Sequence, residues 1–378
     1  MKIKQRLAIS LILLLAGIAA GQYVEDSIDV GQWSSGAVAY NSRENVVYFS
    51  GQDDGFLAID CATNQVITRW GESLPLPVGL FYDSLDHKSF CEFTEESLMV
   101  IDGTTHQRRG AMHVPGLWLA NGLWAVDDNR LYYGLSNSDI DSIVVVDCAA
   151  ESVVGRIGVS AEHSIVGVNL GFDKLYVGDD DSSMLWVIDR RTNRVSRRLE
   201  TSSRYYQSLY SEAHRRFFYN TGHVYVIDGE TDSLLGMQNV PGSPRAMAEI
   251  PELGRLVIAC PYNSTLKDTV YTLDMYTFEV LARIPVGNTP RQLLRSPQTG
   301  LIYCRNFRDT ISVISADGLS LVAQLGVGHT PQDFVLSTLS RRLYTYCHDP
   351  GGKVYVIRDT LGPPGTAEAR PARGAARL

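Results

Sequence analysis

The sequence predicts an all-β chain folded as an eight-bladed β-propeller, each blade a four-stranded antiparallel sheet. Two observations carry this. Eight aliphatic strands end in an aspartate-like stop: Ile59-Asp60, Ile101-Asp102, Val146-Asp147, Ile188-Asp189, Ile227-Asp228 and Leu273-Asp274, with degenerate copies at Ile314-Ser315 and Ile357-Arg358. Their spacings are 42, 45, 42, 39, 46, 41 and 43 residues, and another short strand follows all but the last. An all-strand repeat of about 40–45 residues is the length of one propeller blade.

Residues 284–326 show one unit in order. Ile284-Pro285-Val286-Gly287 closes an outer strand, and Asn288-Thr289-Pro290-Arg291 makes a turn. A short first strand, 292–295, is followed by the Pro/Gly-punctuated hairpin Ser296-Pro297-Gln298-Thr299-Gly300. The second strand spans 301–305, a polar loop 306–309, and the third strand 310–315 alternates Ile311 and Val313 with outward partners. After Ala316-Asp317-Gly318 the fourth strand runs over 319–326. The other third strands are expected at 56–60, 98–102, 143–147, 185–189, 224–228, 270–274 and 354–358. Eight first strands centre on Val38, Leu80, Leu123, Val166, Leu209, Met247, Leu293 and Phe334.

Fourth strands follow only seven third strands, because after Ile357 the chain runs into Leu361-Gly362-Pro363-Pro364. The missing copy lies at the front, where Asp26-Ser27-Ile28-Asp29-Val30-Gly31 repeats the Ile284 pattern. The N-terminal strand is therefore expected to pair beside 354–357 and latch the ring, removing two open sheet edges. Seven blades, with one repeat miscounted, is the alternative.

These repeats resemble the YVTN-type β-propeller repeat family. Its motif runs roughly as L-Y-V-x-N, a loop, V-x-V-I-D, T-x-x-V and then I-x-V-G-x-x-P. The nearest copies here are Leu175-Tyr176-Val177-Gly178 with Trp186-Val187-Ile188-Asp189, and Ile284-Pro285-Val286-Gly287 before Pro290. The resemblance covers about residues 24–360. It implies a propeller, while related propellers include extracellular binding proteins, surface-layer components and a few enzymes.

Composition is that of a soluble globular protein, with 44% hydrophobic and 20% charged residues. The formal charge of −8 argues against a broad duplex-DNA or anionic-membrane footprint, which needs a net basic face. Residues 1–21 differ in kind: Lys2, Lys4 and Arg6 precede an apolar run too short to span a bilayer, and Ala19 and Gly21 offer a cleavage site. They read as a signal peptide, which implies an exported protein, periplasmic, cell-surface or secreted. The propeller then occupies 22–360. Residues 361–378, rich in Pro, Ala, Gly and Arg, read as a disordered tail or a truncated linker to a sorting module. The six cysteines fall in pairs at equivalent repeat positions on different blades, Cys61 with Cys148, Cys91 with Cys304 and Cys260 with Cys347. Such positions rarely come within bridging distance, so half-buried free thiols are expected.

Propeller ligands usually bind near the axial channel, on the face carrying the turns before the first strands. The repeat aligns Gly36, Val78, Asn121, Ile165, Tyr206, Arg245, Arg291 and Gln332 around that mouth. Tyr206, Arg245, Arg291 and Gln332 lie in sequential blades, with Arg204 and His329 nearby. Two guanidiniums beside an amide and a phenol could hold a carboxylate, a phosphate or an acidic peptide side chain. Solvating a wet channel mouth, or pairing with nearby acids, is the simpler account of the same residues. Carboxylates gather in the second-to-third-strand loops, and Asp179, Asp180 and Asp181 form the best-placed group for Ca²⁺. They lack a D-x-D-x-D-G series, and local turn formation explains them better. No zinc, haem, nucleotide or hydrolase motif occurs, so no cofactor is implied. His106 and His113 are read as surface residues and the tryptophans as packing.

Two functions compete. One is a monomeric, noncatalytic exported scaffold that binds a protein, peptide or surface polymer across the channel face. The other is a propeller enzyme, a lactonase-like hydrolase or cofactor-dependent oxidoreductase, that holds an anionic small molecule through Arg245 and Arg291. Nucleic-acid binding has only local arginines in its favour.

Overall fold

The computed structural model describes residues 22–31, 35–51, 55–70, 77–93, 97–114, 122–135, 142–159, 163–179, 184–201, 207–261 and 268–361. The expected signal peptide, and the tail beyond Leu361, lie outside them. Eight four-stranded antiparallel sheets form a ring. The innermost strands are Ser35–Asn41, Pro77–Asp83, Gly122–Ala125, His163–Asn169, Gln207–Ser211, Ala246–Ile250, Pro290–Arg295 and Pro331–Ser337. The circle closes where the last of these meets the first. Eight blades, not seven, is the answer.

The aspartate stops have a local cause. Asp60, Asp102, Asp189 and Asp228 each accept hydrogen bonds from the backbone N–H (2.7–2.8 Å) and the hydroxyl (2.7–3.0 Å) of a threonine three residues on. Each aspartate thus folds the turn between third and fourth strands around its own side chain. The threonine N–H leads in holding Asp102, Asp189, Asp228 and Asp274 below the usual carboxylate range. The stop becomes Arg358 in the last copy because no such turn follows it. There the fourth strand is Tyr23–Asp29, from the front of the chain.

Between first and second strands a second turn recurs. The residue just before each second strand has left-handed backbone: Asn45, His87, Asn129, Asp173, Arg215, Gly254, Gly300 and Arg341. Asn, Asp and Gly are the residues that tolerate this conformation most readily, and they supply five of the eight.

The core is divided among the joints, one apolar cluster between each pair of neighbouring blades. Polar staples cross the same joints. Tyrosine hydroxyls on second strands reach the following blade: Tyr48 to His106 Nδ1 (2.8 Å), Tyr176 to Asp232 (3.1 Å), Tyr303 to Asp359 (2.7 Å) and Tyr344 to Asn64 (2.9 Å). Cations at the head of those strands donate likewise, Lys88 to Glu151, Lys174 to the Gly229 and Glu230 carbonyls and Arg255 to the Asp317 carbonyl. His106 is therefore half-buried in the joint between blades one and two, where the sequence suggested a surface residue. Its left-handed turn position points it inward.

Closure follows the expected register, with Ile28 opposite Val354 and Val24 opposite Ile357. Glu25 clamps it. Its carboxylate receives Arg342 Nε (2.8 Å) and Nη2 (2.7 Å) and Arg358 Nη2 (3.1 Å), and the Arg342 bonds lead in lowering its pKa. All six cysteines are free, and they are wholly buried where half-burial was expected, because their slots face the joints. Burial pushes the Cys61, Cys91, Cys148, Cys260 and Cys347 thiols up to about 12. Among the described residues no helix is long and apolar enough to cross a membrane.

Candidate functional site

Loops before the first strands and loops between second and third strands share one face, opposite the two recurrent turns. Of the residues expected there, Asn121, Arg204 and Tyr206 lie outside the described residues, as do Asp180 and Asp181. Asp179 ends the strand Lys174–Asp179. Arg245, Arg291, His329 and Gln332 are described, in blades six to eight.

Arg245 is exposed just ahead of its strand, where its N–H donates to the Ala259 carbonyl (2.8 Å) and fixes the backbone. Arg291, also exposed, stacks its guanidinium 4.4 Å from the ring centroid of Phe307. Phe307 is itself held, because its N–H reaches the carbonyls of Asn288 (2.8 Å) and Thr289 (3.1 Å) in the loop leading to Arg291. Stacking engages the π face of a guanidinium, whose N–H donors lie in the ring-like plane and suit a carboxylate or phosphate.

Beneath it stands a group the sequence did not single out. The Arg305 side chain is only 11% exposed. It donates from Nε to Gln292 Oε1 (3.1 Å) and from Nη1 to the Pro331 carbonyl (2.7 Å), joining blades seven and eight. Gln292 Oε1 also accepts the Phe334 N–H (3.3 Å). Among the described residues its nearest counter-ion is Asp333, 3.5 Å away and 53% exposed. Burial lowers the Arg305 pKa, a measure of how little surrounds its charge.

Across the joint, His329 is exposed and its N–H donates to Asp349 Oδ1 (2.8 Å), while Asp349 Oδ2 accepts from the Tyr355 hydroxyl (2.7 Å). The two loops of blade eight are clasped further by the His348 N–H on the His329 carbonyl (2.7 Å). A Cβ on Gly328 would collide with the Asp349 carboxylate, so this clasp needs glycine there. Gln332 turns its amide back onto the Thr330 carbonyl (3.2 Å).

One slot carries two ionisable residues that sequence reading missed, the buried Glu92 and the largely buried Arg305. The second-strand residue paired with the position four before each stop is Ser50, Glu92, Gly134, Gly178, Asn220, Ala259, Arg305 and Tyr346, the fifth of its strand in every blade but the seventh. A charge stands out against these mostly small residues, and that is the signal an aligned repeat could have given. Among the described residues no group of three or more His, Cys, Asp or Glu could hold a metal ion.

No family model matches the chain, and no curated protein does. Solved structures do. The Dos1 propeller superposes with a TM-score of 0.71 at 12% identity, over 90% of this chain and 96% of that one. The computationally designed Ika8 protein gives 0.69 at 16% identity, over 86% and 97%. BamB from Moraxella catarrhalis gives 0.65 at 10% identity, over 89% and 99%. Likeness at such low identity concerns the fold alone. With the sheets radiating as described, it makes the chain a β-propeller of eight blades.

Proposed function

We propose that the chain is an exported, noncatalytic scaffold of the YVTN type, and that it holds an anionic group of a protein, peptide or surface polymer at the channel face of blades six to eight. The observation that carries this is the guanidinium pair of blade seven. Arg291 is presented on an aromatic platform, and Arg305 lies buried beneath it with one half-exposed carboxylate for company. Two cations held by rigid blades cost little entropy to organise, so they can spend their attraction on a ligand. Arg245 in the neighbouring blade extends the same basic rim, and the exposed His329 lies across the joint. The basic, then apolar, opening of the sequence supports export.

Binding of a fluorescent poly-glutamate peptide to the purified protein tests the reading. Arg245→Ala with Arg291→Ala should weaken binding by about tenfold or more, the loss expected for charge-assisted hydrogen bonds of roughly 1.5–3 kcal/mol. Equal affinity of parent and double variant would refute it.

A further inference from the structure

Two outer strands on opposite sides of the ring are complementary to each other. Tyr23–Asp29 forms the open edge of blade eight and Arg194–Glu200 that of blade four. Four blades apart in a ring of eight means diametrically opposed. The first carries Glu25, Asp26 and Asp29 and no base; the second carries Arg194, Arg197 and Arg198 against Glu200 alone. No other outer strand has an acid, and none has three arginines; Arg108–His113 of blade two comes nearest, with Arg108, Arg109 and His113. Asp26, Asp29 and all three arginines are exposed.

Laid antiparallel, the two strands match residue by residue. Val24 falls opposite Leu199, Asp26 opposite Arg197, Ser27 opposite Ser196, Ile28 opposite Val195 and Asp29 opposite Arg194, while Glu25, opposite Arg198, is already held by Arg342 and Arg358, so the charge pairs are Asp26–Arg197 and Asp29–Arg194. A slip of two residues sets Glu25 against Glu200 and Asp26 against Leu199. Directly opposed unlike charges stabilise an antiparallel pair and like charges destabilise it, so the register is specified by charge.

We propose that the edge of blade eight in one copy adds to the edge of blade four in a second copy of this chain, continuing one sheet across both rings. Fourth strands all run from the recurrent turn toward the channel face, so antiparallel addition sets the axes of the two copies in opposite directions. The contact is head-to-tail: one copy uses its blade-eight edge and keeps its blade-four edge free on the opposite flank, and the other copy does the reverse. Such contacts extend as an open row and do not close as a pair. Each strand also carries an irregularity in its own sheet, at Glu25 and at Ser196. The shared ladder is thereby shortened, leaving charge to supply most of the attraction. This departs from the monomer that the sequence reading expects.

Sedimentation velocity of the purified protein over rising concentration tests the proposal. Parent protein should show stepwise growth beyond a dimer at about 0.01 M ionic strength and should dissociate at about 0.5 M, where the screening length drops from about 30 Å to a few ångströms. Arg194→Glu/Arg197→Glu/Arg198→Glu should remain monomeric alone, and so should Asp26→Lys/Asp29→Lys. Mixing the two variants should restore association, because each then presents an edge opposite in sign to one on the other. Arg283→Glu, on the outer strand Val280–Pro285 of blade six, should associate like the parent. Thermal melting checks that every variant is folded. A parent that stays monomeric at low salt, or association that survives both charge reversals, or a mixture that stays monomeric, would each overturn the proposal.

Discussion

Replacing Glu92 by glutamine tests how the blades pack at the channel wall. Glu92 is 0% exposed, on the second strand of blade two, with its carboxyl between Gly79 of the same blade and Gly122 of the next. A Cβ on either glycine would collide with one of its oxygens, so the two glycines make the space it fills. Among the described residues neither oxygen has a hydrogen-bond partner, and the buried Tyr133 hydroxyl has none either. The Gly122 N–H favours the anion without reaching hydrogen-bond geometry, and burial outweighs it, raising the pKa well above its usual 4.5. Burial thus pushes Glu92 toward its neutral form in the fold.

The sign of its effect follows. An acid whose pKa is higher folded than unfolded contributes no penalty below the unfolded value, and stability falls as pH rises above it until the folded value is reached. While the group stays protonated in the fold, each pH unit costs about 1.4 kcal/mol, or up to about 3 kcal/mol between pH 4.5 and 7. Glu92→Gln keeps the shape and removes the titration. The amide still lacks partners, at about 1–3 kcal/mol, but that cost is the same at every pH. The neighbouring titratable groups, Tyr133 with Cys91 and Cys148 behind it, all have raised pKa values and stay neutral across this range. Urea unfolding at pH 4.5, 5.5, 6.5 and 7.5 should therefore show the variant gaining on the parent by about 1 kcal/mol or more per pH unit. Parallel stability profiles would mean that Glu92 is ionised and hydrated, and the joint between blades two and three would have to be open.

Two further outcomes are expected. Glu25→Ala removes the acid between Arg342 and Arg358 and leaves two partly buried cations, at a cost of about 2–4 kcal/mol measured by thermal or urea unfolding. Its lowered pKa means that the same stability is present at neutral pH and is lost as pH falls through the carboxylate range, a loss the variant should not share. The six thiols should stay unreactive toward a chromogenic disulfide at pH 8 in the native protein and all react in urea, because burial keeps them protonated. Fast native labelling of even one would mean that a joint opens readily.

Most of the fold was legible because each blade spells the same local chemistry. Asp228, Thr231 and the left-handed Asp232 make a turn wherever they recur, and that needs no knowledge of neighbours. Closure was legible for the same reason, since Ile28 and Val30 copy a pattern the other blades display. Residues whose role depends on what lies across a joint were harder to read. Arg305 reads as one more polar strand residue until Pro331 and Gln292 are beside it, and His106 reads as surface until Tyr48 arrives from the preceding blade. The carbonyls and carboxylate that Lys88, Lys174 and Arg255 satisfy likewise belong to the next repeat.

The two ends of the blades therefore answer to different constraints. At the turn end each aspartate and threonine close their own turn, while tyrosines and cations bond across the joints, where a substitution leaves a buried tyrosine hydroxyl without its partner. At the channel end the second-strand position paired four before the stop varies from glycine to glutamate to arginine, and each choice is accommodated by its neighbours. Gly79 and Gly122 yield to Glu92, while Gln292 and the Pro331 carbonyl receive Arg305. Variation is tolerated where a joint can be rebuilt with one or two compensating residues. A ring of this kind can change what it binds at one end without disturbing the bonds that hold it together at the other.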